Sequence, residues 1–288
     1  MGRYCLGPTR QFTDALTLWE QCMQLETMFD LNGQTAVVIG GARDLGYDMA
    51  DILAAAGCDI ALTSRDATKA EAAAEKLRAA HGCDVLSAAL DICHHSQVTA
   101  FAEQVQAWRP STNILINNAG GGLNLQPTRF FDRDPEHIAQ LVNTNLTGIL
   151  YCCQAFGRKM AECGSGSIIN IGSIAGLCGR DRRMYEETGL PEQPIEYAAA
   201  KAGIIGATRD LAGLLSPMGV RVNTISPGGF EREQPQDFIN AYSQATPMGR
   251  MGQDGVDLKG AALFLASPAS AYITGQNLVV DGGFAIWK

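Results

Sequence analysis

None of the nine cysteines stands in a C-x-x-C pair, and adjacent Cys152 and Cys153 would point different ways on a helix. Neither a disulfide framework nor a metal site is expected, and reduced cytoplasmic thiols are the expected state. No apolar run reaches the ~20 residues a membrane-spanning helix needs, so no membrane partner is expected. The opening stretch MGRYCLGPTRQFTDALTLWEQ also lacks the continuous apolar segment of a secretory leader. Positive charge is in deficit, with 22 Lys and Arg against 30 Asp and Glu, a formal net charge of -8. An acidic chain repels a phosphate backbone, so nucleic acid is not an expected partner. Histidine is scarce, and the pair His94–His95 has no further ligand nearby in sequence. No linker rich in Pro, Gly or Ser and no low-complexity tract interrupts the chain after Asp30. Residues 29–288 are therefore read as one domain. Residues 1–28 are read as an N-terminal extension, either poorly ordered or a short helix with Leu16, Trp19 and Met23 on one stripe.

What is present is a repeated strand, turn and helix. TAVVIG, DIALTS, VLSAALDI, NILINNAG, SIIN, VRVNTIS and NLVVD are short apolar runs rich in Val and Ile. Helical stretches fall between them, near 45–56, 67–80, 95–108, 136–163, 197–215 and 255–267. Strands apolar on both faces that alternate with helices predict a parallel sheet covered on both sides. Right-handed crossovers make it a single α/β doubly wound sheet of Rossmann type. Ligands of such sheets bind beyond the carboxyl ends of the strands, and here those ends carry GGARDLG, SR, DI, NNAG, NIGS and SPGG.

The first of these loops contains Gly40, Gly41 and Gly46 between a strand and a helix. A pyrophosphate can approach a helix N-terminus only where the backbone is bare and the turn tight. A Gly-rich turn alone is weak evidence, but the strand before it and the five companion loops strengthen it. The second strand ends in Ser64–Arg65, where an NAD-selective fold usually carries an acid. A hydroxyl and a guanidinium there suit a 2′-phosphate, and Arg43 can reach the same place. NADP is thus the expected cofactor, with NAD as the alternative.

YAAAK puts Tyr197 and Lys201 four residues apart, on one face of a helix. Taken with GGARDLG, LDI, NNAG, NTNLTG, INIGS, RVNTISPGG and ITGQNLVVDGG, in that order, the chain resembles the short-chain dehydrogenase/reductase family from about Asp30 to its end. The resemblance implies roles for individual residues. Tyr197 would be the general acid/base, and Lys201 would lower its pKa and hold the nicotinamide ribose. Ser173 would donate to the reacting oxygen, and Asn145 would anchor a water in a proton relay. Gly40, Arg43, Asp44, Leu45, Ser64 and Arg65 would meet the adenosine and phosphate end. Asp91 and Ile92 would meet the adenine, and Asn118, Ala119 and Gly120 the ribose. Pro227 and Gly228 would wall the nicotinamide, with Phe230 beside them. A small-molecule substrate and a homodimer or homotetramer also follow from the resemblance.

The chemistry needs these residue types in its own right. A free tyrosine, with a pKa near ~10, is a poor base at neutral pH, and a nearby cation stabilises its phenolate. Tyr185 is a rival for Tyr197, but Gly189 occupies its +4 position. Three features depart from the family pattern. Asp44 replaces a usual glycine, Ile39 a usual threonine, and Arg232 stands where a threonine often touches the nicotinamide amide. In addition, LCGRDRRMYEETGLPEQPIE, between Ser173 and Tyr197, is longer than usual by about ten residues. Tied at both ends to catalytic positions, it should border the substrate, with Arg180, Arg183 and Tyr185 as contacts. This insertion and PGGFEREQPQDFINAY look similar to sugar-acid dehydrogenases such as gluconate 5-dehydrogenase and to reductases of bacterial surface-sugar pathways. The expected reaction interconverts a secondary alcohol and a ketone on a polar sugar or sugar acid. The alternatives are a 3-oxoacyl carrier-protein reductase and a non-enzymatic dinucleotide-binding protein.

Overall fold

The computed structural model describes residues 25–121, 130–188 and 193–287. A helical turn at Leu25–Met28 precedes the domain. The expected stripe of Leu16, Trp19 and Met23 lies outside the described residues.

Strand β1 (Thr35–Ile39) is buried at all five positions. It leads through the Gly-rich turn into α1 (Asp44–Ala55). Next come β2 (Asp59–Ser64) and α2 (Ala67–His81). Asp66 starts α2 by accepting from the Thr68 and Lys69 amides, and Gly82, left-handed at φ 67°, ends it. β3 (Val85–Ala89), α3 (His95–Trp108) and β4 (Ile114–Asn117) complete the first half.

The second half opens with α4 (Pro135–Val142), whose cap Asp134 accepts from the Glu136 amide. A widened π turn, Asn143–Thr147, joins α4 to α5 (Gly148–Cys163). The single helix expected over 136–163 is thus one continuous helical run, widened at a π turn in its middle. β5 (Gly166–Ile171), α6 (Arg183–Thr188), α7 (Ile195–Leu215) and β6 (Val220–Pro227) follow. After them come β7 (Phe230–Glu231), α8 (Gln236–Gln244), β8 (Gly252–Gln253), α9 (Lys259–Ala266) and β9 (Asn277–Val280).

The seven long strands form one parallel sheet, ordered β3-β2-β1-β4-β5-β6-β9. β7 and β8 make a separate small parallel ribbon. Residues of β1 alternate between two cores. Ala36 and Val38 pack with Met49, Leu53 and Leu77. Val37 and Ile39 pack with Phe101, Ile149 and Phe156 on the other face. This two-sided burial is why the strands are apolar at consecutive positions. A third cluster of Phe238, Tyr242, Met251 and Phe284 carries Met184 and Tyr185 of the insertion against it.

The strand order reverses between β1 and β4, so their carboxyl ends diverge and leave a crevice there. Every loop singled out in the sequence opens on that edge of the sheet.

Candidate active site

The Gly-rich turn is shaped by close backbone approach. Gly40 has φ 77°, and a Cβ on it would lie 2.8 Å from the Ala119 Cα. A Cβ on Gly46 would overlap the Gly40 carbonyl oxygen and come 2.5 Å from Asn118 Nδ2. Asn118 Nδ2 donates to the Gly40 carbonyl at 2.9 Å, and the Gly40 amide donates to Thr63 Oγ1 at 3.1 Å. The amides of Asn118 and Ala119 both donate to the Ile39 carbonyl. Two strand ends are thereby stitched into one cradle. The cap residue of α1, Arg43, makes no side-chain cap bond, so the amides of the first turn face outward with no side-chain acceptor from it. These features fit the pyrophosphate of a dinucleotide. Leu45 is half-buried against the core, whereas Arg43 is exposed and 3.6 Å from Asp44.

At the end of the cleft expected to hold the adenosine, Ser64 Oγ accepts from the Asp66 amide, and the Leu90 amide donates to the Ser64 carbonyl. Asp91 Oδ1 accepts from the Cys93 amide, and its other oxygen is 3.4 Å from His94 Nδ1. Arg65 is exposed. The side chain of Ile92 is in the core against Gly148, so only its backbone is left for a ligand. Phe230 behaves likewise: its ring is buried and packed on Gly252. Pro227 is buried at the end of β6, and the Gly228 amide donates to the Val280 carbonyl, closing the far wall.

The residues expected to carry the chemistry come together from the end of β5, the π turn and α7. Ser173 and Tyr197 are hydrogen-bonded, and Ser173 Oγ also accepts from the Ala175 amide at 3.1 Å. Tyr197 and Lys201 are both buried on α7. Lys201 Nζ donates to the Ile171 carbonyl at 2.7 Å and lies 5.7 Å from the centroid of the Tyr197 ring. Burial lowers the Lys201 pKa from 10.5 to about 8. Burial also raises that of Tyr197, against which the Ser173 hydrogen bond and the Arg180 charge act. The expected effect of Lys201 on the Tyr197 pKa is therefore not visible in the protein alone; the cation that acts there is Arg180.

Asn145 is fully buried and clasps Gly121: Oδ1 accepts from the Gly121 amide at 2.8 Å, and Nδ2 donates to its carbonyl at 3.1 Å. Nδ2 also donates to the Leu141 carbonyl at 3.0 Å. A Cβ on Gly120 would lie 2.6 Å from Asn145 Oδ1 and 3.7 Å from Lys201 Nζ, so Gly120, Asn145 and Lys201 meet at one point.

The insertion contributes unequally. Arg180 Cζ sits 5.8 Å from the Tyr197 ring centroid. Its guanidinium donates to the Gln193 carbonyl at 2.8 Å and to Gln193 Oε1 at 3.0 Å. Tyr185 packs its ring 5.3 Å from that of Phe238, with its pKa raised by burial. Arg183 is not brought to the pocket. It pairs with Asp181 at 2.6 Å and its side chain is 80% exposed, because α6 turns that face outward.

One buried pair escaped the sequence reading. Arg133 and Glu196 are both buried, and Arg133 Nε donates to Glu196 Oε1 at 2.9 Å. The pair ties the start of α4 to the residue before Tyr197. Its signal in the sequence was only two ordinary charges 63 residues apart.

A parallel doubly wound sheet with a Gly-rich pyrophosphate cradle and a Ser, Tyr and Lys cluster at one strand edge defines a dinucleotide-binding oxidoreductase. The comparisons agree. Residues 40–285 match the family described as enoyl-(acyl carrier protein) reductase. Galactitol 2-dehydrogenase (L-tagatose-forming) of Cereibacter sphaeroides is 34% identical over 275 residues, covering 92% of this chain and 100% of that protein. A 3-oxoacyl-[acyl-carrier-protein] reductase of Chlamydia trachomatis is 35% identical over 259 residues, covering 88% and 98%. Among solved structures, gluconate 5-dehydrogenase from Burkholderia cenocepacia, in complex with NADP and tartrate, superposes with a TM-score of 0.82. It is 32% identical, and the match covers 91% of this chain and 99% of that one. The chain belongs to the short-chain dehydrogenase/reductase family, whose members use NAD(P). Among the described residues no helix is long and apolar enough to cross a membrane, and no cluster of His, Cys, Asp or Glu could hold a metal ion.

Proposed function

We propose that this chain is an NADP(H)-preferring dehydrogenase that interconverts a secondary alcohol and a ketone on a small, hydroxylated and anionic substrate such as a sugar acid. The observation that carries the substrate class is Arg180, half-buried beside the Tyr197 ring with both of its described hydrogen bonds on neutral oxygens of Gln193. Its charge is left to meet an incoming carboxylate.

Bound nicotinamide would supply the hydride exchange, and the side chains manage the proton. Tyr197 gives its proton to the carbonyl oxygen in reduction, or removes the hydroxyl proton in oxidation. Ser173 donates a hydrogen bond to the same oxygen as charge develops on it. Lys201, already held by the Ile171 carbonyl, has further donors for the ribose hydroxyls and for a water leading to Tyr197. The Asn145 side chain is engaged by Gly121 and Leu141, so a relay water would rest on a main-chain oxygen of the π turn rather than on that side chain. Arg43 and Arg65, both exposed at the adenosine end, would grip the 2′-phosphate. Replacing Arg65 with Asp should reverse the preference between NADPH and NADH.

The test is a turnover screen with both cofactors on sugar acids, neutral polyols and a 3-oxoacyl thioester. Sugar acids should rank first. Arg180→Ala should raise KM for the anionic substrate about tenfold, the loss of ~1.4 kcal/mol, without a matching change for a neutral polyol. A long acyl thioester as best substrate would overturn the substrate class. That second reading has a specific support, the 35% identity to a carrier-protein reductase.

A homodimer or homotetramer is proposed as well. β9 is a terminal strand of the sheet, and Val279 on it, with Tyr272, Ile286 and Trp287 nearby in the chain, is exposed.

A further inference from the structure

The mouth of the Gly-rich turn carries a charge arrangement that the family pattern does not supply. Asp44 has φ 50°, the one non-glycine residue with a positive φ among the described residues. A side chain is costly in that conformation, and glycine would adopt it freely. A carboxylate here also stands at the first position of α1, where the helix dipole and open amides would otherwise attract a phosphate. The helix itself favours an acid at its N-terminus, but a carboxylate there opposes an incoming phosphate unless a cation compensates.

That cation is Arg232, which follows β7. Asp254 holds its guanidinium with two hydrogen bonds, from Nε at 2.5 Å and from Nη2 at 3.1 Å. Asp254 itself follows β8, the partner of β7, so the ribbon fixes donor and acceptor together. So held, Arg232 Nε faces Asp44 Oδ1 at 3.9 Å. Arg43 Nη1 is 3.6 Å from the other oxygen of Asp44. Neither distance is that of a hydrogen bond. Asp44 is thus loosely paired with two guanidiniums, whereas the Arg232–Asp254 pair is tight. The Arg232 side chain is 37% exposed, open enough to meet a ligand.

We propose that Arg232 is a pyrophosphate-binding residue of the dinucleotide cleft, and that Asp44 is an internal anion that occupies its charge until the dinucleotide displaces it. Asp254 is then a positioning residue that keeps Arg232 aimed at the N-terminus of α1. The inference rests on the reading that this cleft takes a nicotinamide dinucleotide. It differs from a contact to the nicotinamide amide, because the partner facing Arg232 is at the phosphate end of the cleft.

The two possibilities separate by ligand truncation. ADP-ribose keeps the pyrophosphate and lacks nicotinamide; AMP lacks the second phosphate. Binding of NADPH, ADP-ribose and AMP would be titrated calorimetrically to the full chain. Arg232→Ala should weaken NADPH and ADP-ribose alike, by tenfold or more, and leave AMP nearly unchanged. Asp44→Asn, which removes no tight bond, should tighten ADP-ribose by a few-fold, and added salt should shrink that gain. Asp44→Asn keeps the question open to test should Arg232→Ala fail to fold. A loss confined to NADPH, an unchanged ADP-ribose affinity in Arg232→Ala, or no gain in Asp44→Asn would overturn the proposal. Wild-type protein that binds neither NADPH nor NADH would instead overturn the dinucleotide reading beneath it.

Discussion

Tyr197 is held between two cations that do different work. Arg180 lies over its ring and pulls its pKa down, while Lys201, turned to the Ile171 carbonyl, is itself half-neutralised near pH 8 by burial. Tyr197→Phe should abolish turnover in a coupled absorbance assay and leave dinucleotide affinity within a few-fold, since it removes the proton donor and little volume. Activity near wild type would refute the assignment. Arg180→Gln withdraws a charge that favours the phenolate. The rising, acid-side limb of kcat for alcohol oxidation should therefore move to higher pH, because Tyr197 would deprotonate later. A limb that stays in place would mean that Arg180 touches substrate alone.

At the scale of elements, the site depends on loops pressed together by missing side chains. Gly46→Ala sets a methyl against the Gly40 carbonyl and Asn118, so the turn must open. The expected outcome is a loss of dinucleotide binding larger than the loss of stability, read by titration and thermal melting side by side. The insertion depends instead on a contact made by packing. Tyr185 and Met184 rest on the cluster of Phe238, Tyr242 and Phe284, with Tyr242 and Phe284 stacked 4.4 Å apart. Phe238→Ala leaves a cavity under α6 and should raise the substrate KM while the cofactor Kd holds. Equal effects on both would show that the cluster supports the whole cleft and not the insertion.

For the molecule as a whole, the buried Lys201 sets a pH dependence of stability. Its pKa is about 8 when folded against 10.5 for the free side chain. Below about pH 8 it is charged in both states, and burying that charge costs stability. Between there and 10.5 the unfolded chain holds a proton that the folded chain has lost, so this contribution improves as pH rises. Lys201→Met should accordingly raise the melting temperature at pH 7, with the advantage narrowing toward pH 10. At ~1.4 kcal/mol per pH unit the effect is bounded at about 3 kcal/mol, less the lost bond to Ile171. An advantage that does not change with pH would place the cost in packing. Light scattering should give a dimer or tetramer mass; a monomer would remove the assembly reading.

The seven strands were legible in the sequence because a sheet covered on both faces requires short runs of consecutive apolar residues. The Gly-rich turn and the Tyr197–Lys201 pair were legible because each is local: a backbone conformation in one, a helical spacing in the other. The order of the strands, and hence the crevice between β1 and β4, came from crossover handedness and not from any single residue. Tertiary structure alone decided what depended on distance between remote segments. It turned Arg180 toward Tyr197 and Arg183 toward Asp181, although the two stand three positions apart in the same insertion. It widened the helix to a π turn at Asn143–Thr147, where Asn145 clasps Gly121. It joined Arg133 to Glu196, and it brought Arg232, steadied by Asp254, to face Asp44 across 188 residues of chain. A charge carries no periodicity and declares no partner; only the folded distance decides whether it is solvated, paired or left for a ligand.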